Sequence, residues 1–560
     1  MQGNNRGQKR QNICRGELCS PDVGHNRGQK REDRKDRTSV GANFVRPMLE
    51  RVEGGSVGYL DRILCESLQA KVISAQAAAA MIMDGMVVGA SGFTPAGYPK
   101  AIPIALAERV KKNGERLKIA LLTGASVGME LDDVLAEAGI IGRRSPYQTS
   151  AVLRKSLNME DGVDFFDEHL SLHAQNVRYG FYGCLDLAII EACAITAEGH
   201  IVPTTSVGAS PSFVQAASKV LVELNLSQPL ALQGMHDIYI PQKPPHCLPI
   251  PLTHSNGRIG TTFIPCEPEK IAGIVISELA DEVRPLRQAD DNARAIADHI
   301  CCFLRQQVQL GCLPQNLLPL QSGVGGVANA VLSNLANLEF KNLEFFSEVI
   351  QDAVLDLLDS GKFRVASGTS ITLSAAYRQK FYDNIDFYRA RIILRPSEIS
   401  NSPEVARRLG VIAMNTAIET DIYGNINSSH ILGTRLMNGI GGSGDFARSA
   451  YLSIFMTAST AKDGAISSIV PMCSHVDHTE HDVNIIVTEQ GLADLRNTSP
   501  RERALKIINN CAHPTYRPLL LDYYQRALKE AKTFACHTPH LLSAAFSWHE
   551  RFKESGTMIL

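Results

Sequence analysis

The chain has 560 residues, 44% of them apolar, with 56 Lys and Arg against 58 Asp and Glu. That length exceeds one ordinary hydrophobic core and requires at least two domains. A net charge of -2 gives no bulk electrostatic reason to seek nucleic acid or acidic lipid, and no apolar run approaches the ~20 residues that span a bilayer. Thirteen cysteines without a C-x-x-C pair argue against a zinc ribbon or a disulfide framework and point to a reducing compartment, the cytoplasm or, in a eukaryote, the mitochondrion.

The first sixty residues differ from the rest of the chain. GNNRGQKR at 3–10 returns as GHNRGQKR at 24–31, residues 31–37 are all charged, and residues 1–53 carry 12 Lys and Arg against 7 Asp and Glu. A stretch so poor in apolar residues is expected to be a disordered basic extension. Three readings remain open for it: a targeting segment, although it has many acids and no clear apolar face; an RNA-touching tail; or translation that truly starts at Met48.

From Ile63 onward helix and strand alternate. Leu68 to Met83 reads as an Ala-rich amphipathic helix and Met86 to Gly89 as a short strand; the loop SGFTPAGYPK then leads into a helix over Ala101 to Lys112. Leu117 to Leu122 is a strand closed by TGASVG, and Leu187 to Glu191, Val220 to Val222 and Ile271 to Ile276 repeat the short apolar runs. Strands ending in Gly, Ser and Thr offer backbone N–H groups to an anionic ligand. Pro241 to Pro251 reads as a surface excursion. A charged linker begins at Glu278, ahead of a helix over Ala295 to Leu310.

The second half restarts the pattern. Leu317 to Leu320 is a strand closed by the Gly-rich turn QSGVGGVANAV. Leu343, Phe345 and Phe346 form the next strand, and Val349, Ile350, Val354, Leu357 and Leu358 recur at helical spacing until Gly361. Glu348 therefore falls at a strand-to-helix junction, at the carboxyl edge of an open sheet where ligands bind, and a helix N-terminus there favours its ionised form. The plainer reading is a glutamate that only supports the helix. Phe363 to Ala366 with SGTS and Ile392 to Leu394 come next, then a hairpin around Gly424 and Asn425. LMNGIGGSGDFAR opens a helix, and Ile469 to Met472 and Val483 to Glu489 are further strands. Two related open α/β domains facing each other account for this order.

Three features carry possible chemistry. The turns Gly323 to Gly326 and Gly439 to Gly444 let the backbone approach a ligand so that N–H groups point at an oxygen, whether of a phosphate or of an oxyanion. In SHVDHTEHD, His475, His478 and His481 stand three residues apart among Asp477, Glu480 and Asp482. As metal ligands they would make a metal-dependent thioester hydrolase; as a polar loop they satisfy one another. TEQG places Glu489 at the end of an apolar strand, as Glu348 is placed, so the two carboxylates form an acid/base pair or serve as helix caps.

These motifs carry a resemblance. SEVIQD, GIGGSGDFAR, SHVDHTEHD and VTEQGLADLR, with SGFTPAGYPK, TGASVG, GMHDIYIP and EISNSPEVARRLG, resemble the acetyl-CoA hydrolase/transferase family, nearest its succinyl-CoA:acetate branch of class I coenzyme A-transferases, over nearly all of residues 61–560. The resemblance implies coenzyme A-transferase-type α/β domains over 61–280 and 281–560, the second with a C-terminal helical tail, and an active site between them. It implies a catalytic set of Glu348 as nucleophile, Val324 and Gly442 as backbone oxyanion donors, and Glu489. Asn401, Gly323, Gly325, Gly441, Gly444 and Arg258 are the implied substrate and coenzyme A contacts. One departure is Gly326, where a polar residue is expected. The activity implied is coenzyme A transfer from succinyl-CoA to acetate, or hydrolysis of acetyl-CoA by the same glutamate. No tightly bound cofactor and no metal are expected, only a coenzyme A thioester as substrate, and the expected assembly is a homodimer without nucleic acid or membrane.

Overall fold

Short apolar strands, buried along most of their length as parallel sheets require, make up the first of two sheets in a computed structural model that describes residues 58–283 and 289–559. The repeat and charged run near the N-terminus lie outside those residues, as does part of the linker. The strands are β1 (Val87–Ala90), β2 (Ile119–Thr123), β3 (Ile141–Ser145), β4 (Asp164–Phe165), β5 (Leu185–Ile195), β6 (Ile201–Pro203), β7 (Ala217–Asn225) and β8 (Ile271–Ser277). They lie in the order β4-β3-β2-β1-β5-β7-β8, all parallel, with β6 antiparallel on β5. The chain thus winds outward through β2, β3 and β4 and then returns to the other side of β1. Ligands bind outside the carboxyl ends of strands at such a reversal.

The second sheet repeats the plan with β9 (Leu320–Ser322), β10 (Leu343–Phe346), β12 (Phe363–Gly368), β14 (Ile392–Leu394) and β15 (Ile412–Thr416), while β11 (Val349–Ile350) and β13 (Ser370–Ile371) pair beside it. Its order is β14-β12-β10-β9-β15, continued by Leu452–Met456, Ile485–Thr488 and an antiparallel Gly491–Asp494, so the reversal falls between β9 and β15. The hairpin at Gly424 is present as Glu419–Asp421 against Ile426–Asn427. Three helices, Pro500–Cys511, Arg517–Phe534 and Ser547–Ser555, close the chain, the first started by a capping box of Ser499 and Glu502. Among the described residues no helix is long and apolar enough to cross a membrane.

One expected element is absent. Leu68 to Met83 is not one helix but two short ones, Glu66–Gln69 and Ala75–Ala79. Between them the β-branched pair Val72 and Ile73 runs extended, Val72 bridging Ile274 and Ile73 N–H donating to the Ile274 carbonyl at 2.8 Å. Pairing at the edge of β8 outweighs the helical propensity of the alanines around it.

The sheets meet along a hydrogen-bonded seam at their carboxyl edges. Val207 N–H donates to Thr369 (2.9 Å), Ile371 to Thr205 (2.8 Å), Asp237 to Leu394 (2.8 Å) and Leu394 to Met235 (3.0 Å). One apolar cluster runs through both halves, joining Val207 and Phe213 to Ile350 and Ile371. Arg395 lies at the seam with no exposed surface and pairs with Asp237, 1% exposed. Its other N–H groups donate to Ser367 Oγ (2.8 Å) and to the carbonyls of Ser255 (3.2 Å) and Gly257. Asp237 in turn accepts from the N–H groups of Ile259 (2.9 Å) and Gly260 (2.7 Å). Removing one partner of such a pair leaves an uncompensated buried charge, at a cost of about 3–5 kcal/mol. Asp237→Ala is therefore expected to lower the thermal unfolding midpoint markedly, and Asp237→Val with Arg395→Met to recover part of the loss. An unchanged midpoint in the single variant would contradict this account.

Candidate active site

Glu348 stands two residues beyond β10. The sequence pattern places Val349 and Ile350 in the following helix; instead they form β11 and pair with β13, and the helix starts only at Asp352. The helix that follows Glu348 in sequence does not reach the carboxylate, whose state is the reverse of the one expected from such support. Burial pushes the Glu348 carboxyl up to about 7, against the opposing hydrogen bond from Asn401 Nδ2 to Oε1 at 2.5 Å. The side chain is 9% exposed. Asn401 is held in turn as the last residue of the turn after Ser397–Ser400, where its N–H donates to the Ser397 carbonyl at 2.8 Å.

Glu348 faces a cavity of about 180 Å³ between the carboxyl edges of the two sheets. From the second sheet, Gly323 and Val324 after β9 and Asn415 and Thr416 at the end of β15 contribute to the wall. From the first, the loops after β1, β2 and β3 present Thr94 (φ 52°), Ala125 (φ 70°) and Tyr147 (φ 36°). Three non-glycine residues in the left-handed region on one wall are strain concentrated at a site. Phe93, Ala125, Leu170 and Val349 pack as a small apolar cluster on that side. A neighbouring cavity of about 340 Å³ shares Thr94, Tyr147 and Val324 with the first.

The loop 439–443 covers Glu348. A Cβ on Gly442 would lie 1.5 Å from Glu348 Oε1 and 2.3 Å from Asn401 Nδ2, so only glycine fits there. The loop is anchored from both halves. Ile440 N–H donates to Asp167 Oδ2 (2.5 Å), Ser443 Oγ donates to the Ile440 carbonyl (2.8 Å), and His478 Nε2 lies 2.9 Å from Ser443 Oγ. Burial lowers the His478 imidazole to about 4, so it is neutral and bonds Ser443 without adding charge.

The structure brings most of the predicted residues together. Gly323, Val324, Gly441 and Gly442 line the cavity with Glu348, and Asn401 touches the carboxylate. The Val324 and Gly442 N–H groups have no hydrogen-bond acceptor among the described residues. Gly325, at φ 128°, precedes the helix Gly326–Ala336, so Gly326 opens that helix rather than the loop. Gly444 lies behind the wall, where a Cβ would meet His169 at 2.4 Å. Two predicted residues lie elsewhere. Glu489 comes after the strand Ile485–Thr488, three strands along the sheet from β9, and its carboxylate is engaged by Ser459 N–H (2.8 Å), Ser459 Oγ and Gln490 Nε2 (3.0 Å). Burial would raise that carboxyl, but these bonds outweigh it and hold it below the usual range. Arg258 is exposed and donates to the His236 carbonyl (2.9 Å), beside the Asp237–Arg395 pair.

The histidine motif also assembles differently from its spacing. His475 and Asp477 meet His430, and one ligand atom of each lies within 4.8 Å of the others, a set that suits a divalent cation of the zinc type. His478 serves the glycine loop instead, and His481 sits in the turn Glu480–Asp482. Asp477 already accepts the N–H groups of Ser428 (2.6 Å) and Ser429 (2.9 Å), which ties this set to the cavity wall at Ser428. The first-sheet residues of the cavity were only partly signalled. Thr94 and Ala125 lie in the loops flagged for exposed N–H groups, whereas Tyr147 and Leu170 come after β3 and β4, strands whose sequences IGRRS and DF show no apolar run.

The raised Glu348 carboxyl has a consequence for stability. Below the ordinary glutamate pKa of ~4.3 the group is neutral in both folded and unfolded chains and contributes nothing. As pH rises toward 7 the unfolded chain ionises freely while the fold resists, so stability is lost through that window and stays lost above it. Glu348→Gln is expected to raise the thermal midpoint at pH 8 and to leave it unchanged near pH 4.5. Equal shifts at both pH values would show that charge is not the cause.

Comparison with known proteins agrees with this fold. Residues 61–276 match the acetyl-CoA hydrolase/transferase N-terminal domain and residues 378–524 the C-terminal domain. The chain is 53% identical to the succinyl-CoA:acetate CoA-transferase of Clostridium kluyveri over 497 residues, 89% of this chain and 92% of that one. It is 46% identical to the acetyl-CoA hydrolase of Saccharomyces cerevisiae over 503 residues, 87% and 95% of the two chains. In fold it is similar to the 4-hydroxybutyrate CoA-transferase of Porphyromonas gingivalis, with a TM-score of 0.57 at 21% identity, covering 82% of this chain and 98% of that one. With both of the family's domains matched in order and such identity along most of its length, the chain belongs to the acetyl-CoA hydrolase/transferase family.

Proposed function

We propose that the chain is a coenzyme A-transferase that converts succinyl-CoA and acetate into acetyl-CoA and succinate, with Glu348 as covalent carrier. The observation that carries this reading is a buried carboxylate on the wall of a cavity between the two sheets, with Oε1 held by Asn401 and Oε2 uncommitted among the described residues. Glu348 attacks the thioester carbonyl; a C–O bond forms, the C–S bond breaks, and coenzyme A leaves as thiolate from an acyl-glutamyl anhydride. The thiolate then attacks the glutamyl carbonyl, forming a C–S bond and releasing the first acid as its carboxylate. Acetate reverses these steps, which gives ping-pong kinetics.

A carboxylate suits this task because it can carry the thioester without losing its free energy, whereas a serine ester would fall too low to return. Each step passes through a tetrahedral oxyanion. The free N–H groups of Val324 and Gly442 are its proposed donors, worth about 3 kcal/mol each if they act as other such holes do. Burial of Glu348 raises its basicity, and with it the strength of its attack once ionised. The cluster of Phe93, Ala125, Leu170 and Val349 suits the methyl group of acetate and sheds water, and the adjoining cavity has room for the thiol arm of coenzyme A. Both reactants are substrates, so the scheme uses no further cofactor.

Hydrolysis by the same glutamate is the second reading, since water in place of acetate would release the acid and free thiol. The apolar wall favours transfer. An assay with succinyl-CoA, with and without acetate, following acetyl-CoA and free thiol separately, decides between them. Acetate-dependent acetyl-CoA with little thiol is expected, and thiol release that ignores acetate would make the chain a hydrolase. Glu348→Ala is expected to abolish both products and Glu348→Asp to lose several orders of magnitude through misplacement. Gly442→Ala, which drives a methyl into Oε1, should lose at least about a hundredfold. Near wild-type turnover in the Glu348 variants would overturn the assignment.

A further inference from the structure

Two buried carboxylates meet at this site, and the transfer scheme uses one. Asp445, 3% exposed, lies in the short helix Ser443–Ala447 behind the glycine loop. It accepts from Ser171 N–H (3.0 Å) and Ser171 Oγ (2.5 Å), and its Oδ2 lies 3.4 Å from Asn401 Nδ2. That is the nitrogen that donates to Glu348 Oε1. A single amide group therefore bridges two carboxylates, and among the described residues no cation pairs with either.

The proposed half-reaction changes the charge of this cluster. Acyl-CoA and the Glu348 carboxylate become a neutral glutamyl thioester and a free carboxylate, so one negative charge leaves the site with the product acid. A second fixed negative charge beside Glu348 disfavours the ionised side of that equilibrium and leaves the neutral thioester untouched. We propose that Asp445 is a positioning residue that fixes Asn401 against Glu348 and whose charge drives Glu348 toward the coenzyme A thioester. The proposal rests on the thioester reading of Glu348.

The surroundings leave this role to Asp445. Burial raises Asp445 to about 7, assisted by the charge of Glu348. Burial holds Tyr147 above its ordinary range and both His169 and His478 below theirs, which favours the uncharged form of each. Asp167, pushed up to about 6, bonds Ile440 N–H, and Arg448 points outward. The plainer account is that Asp445 caps the helix Leu170–Tyr179 through Ser171 and only joins the two halves.

The two accounts separate in the full-length chain. Incubation with acetyl-CoA at pH 8 and fixed acetate, followed by acid quench and mass spectrometry of the peptide bearing Glu348, reads the ratio of thioester to free carboxylate. Asp445→Asn keeps the shape and can still accept from Ser171. It is expected to lower that ratio about tenfold and to move the acid limb of kcat/KM down by about one pH unit, the two expressions of one interaction. Ser171→Ala removes the hydroxyl's hydrogen bond to Asp445 while keeping the backbone bond and the charge, and should lower the thermal midpoint without moving either readout. A wild-type ratio and acid limb in Asp445→Asn would overturn the proposal, as would Ser171→Ala reproducing its losses or an Asp445→Asn chain that does not fold. An absent adduct in the wild-type chain would instead overturn the thioester reading itself.

Discussion

A guanidinium with no access to water must find a protein acceptor for each of its nitrogens, and Arg395 obtains this where the two sheets meet. Its partners come from both halves: Asp237 and the Ser255 and Gly257 carbonyls from the first, Ser367 from the second. Leu394, the residue before it, exchanges backbone hydrogen bonds with Met235 and Asp237. The requirement fixes how the carboxyl edges oppose one another, and the cavity is the space that this opposition leaves. A second buried charge cluster lies within the first half, nearer the linker. Lys100 pairs with Glu191 (2.6 Å) and Asp281 (2.8 Å), and Asp281 also takes Thr205 Oγ (2.7 Å). Apolar contact alone would tolerate sliding; buried charges with directional partners do not.

Against that rigid frame, Glu348 is an unfavourable group held in place. It is buried without a cation, close enough to Gly442 that no side chain fits between, and it is supported by one amide. The frame supplies the free energy that keeps it there, and the proposed chemistry returns part of it when the carboxylate becomes an uncharged acyl group. Strain at Thr94, Ala125 and Tyr147 on the opposite wall belongs to the same pattern of local cost borne by the scaffold.

The sequence alone reveals the alternation of helix and strand, the Gly-rich loops and the position of Glu348 at a strand end, because local periodicity and turn chemistry encode them. What it conceals is set by tertiary partners. Val349 and Ile350 fit a helical stripe, yet their partner β13 lies twenty residues on, and pairing with it delays the helix to Asp352, beyond Glu348. Val72 and Ile73 leave a helical pattern for β8, some two hundred residues away. Glu489 and Glu348 occupy similar strand ends, but sheet order places them several strands apart, and order is not written in any one strand. His430 joins His475 and Asp477 across more than forty residues, so a spacing rule applied to one motif cannot find it.

The wall of the cavity is drawn from residues as far apart in the chain as Phe93 and Ser443, with the glycine loop anchored by Asp167, which follows β4 of the first sheet. During synthesis, most of the first sheet can form long before the loop that covers Glu348 leaves the ribosome. Until then Phe93, Ala125 and Leu170 have no opposing wall and stand as an apolar surface on an otherwise finished sheet. The same residues that shape the finished site are thus, for much of the chain's birth, a patch for chaperones to cover. Contacts of such long sequence separation make the active site among the last parts of the molecule to assemble.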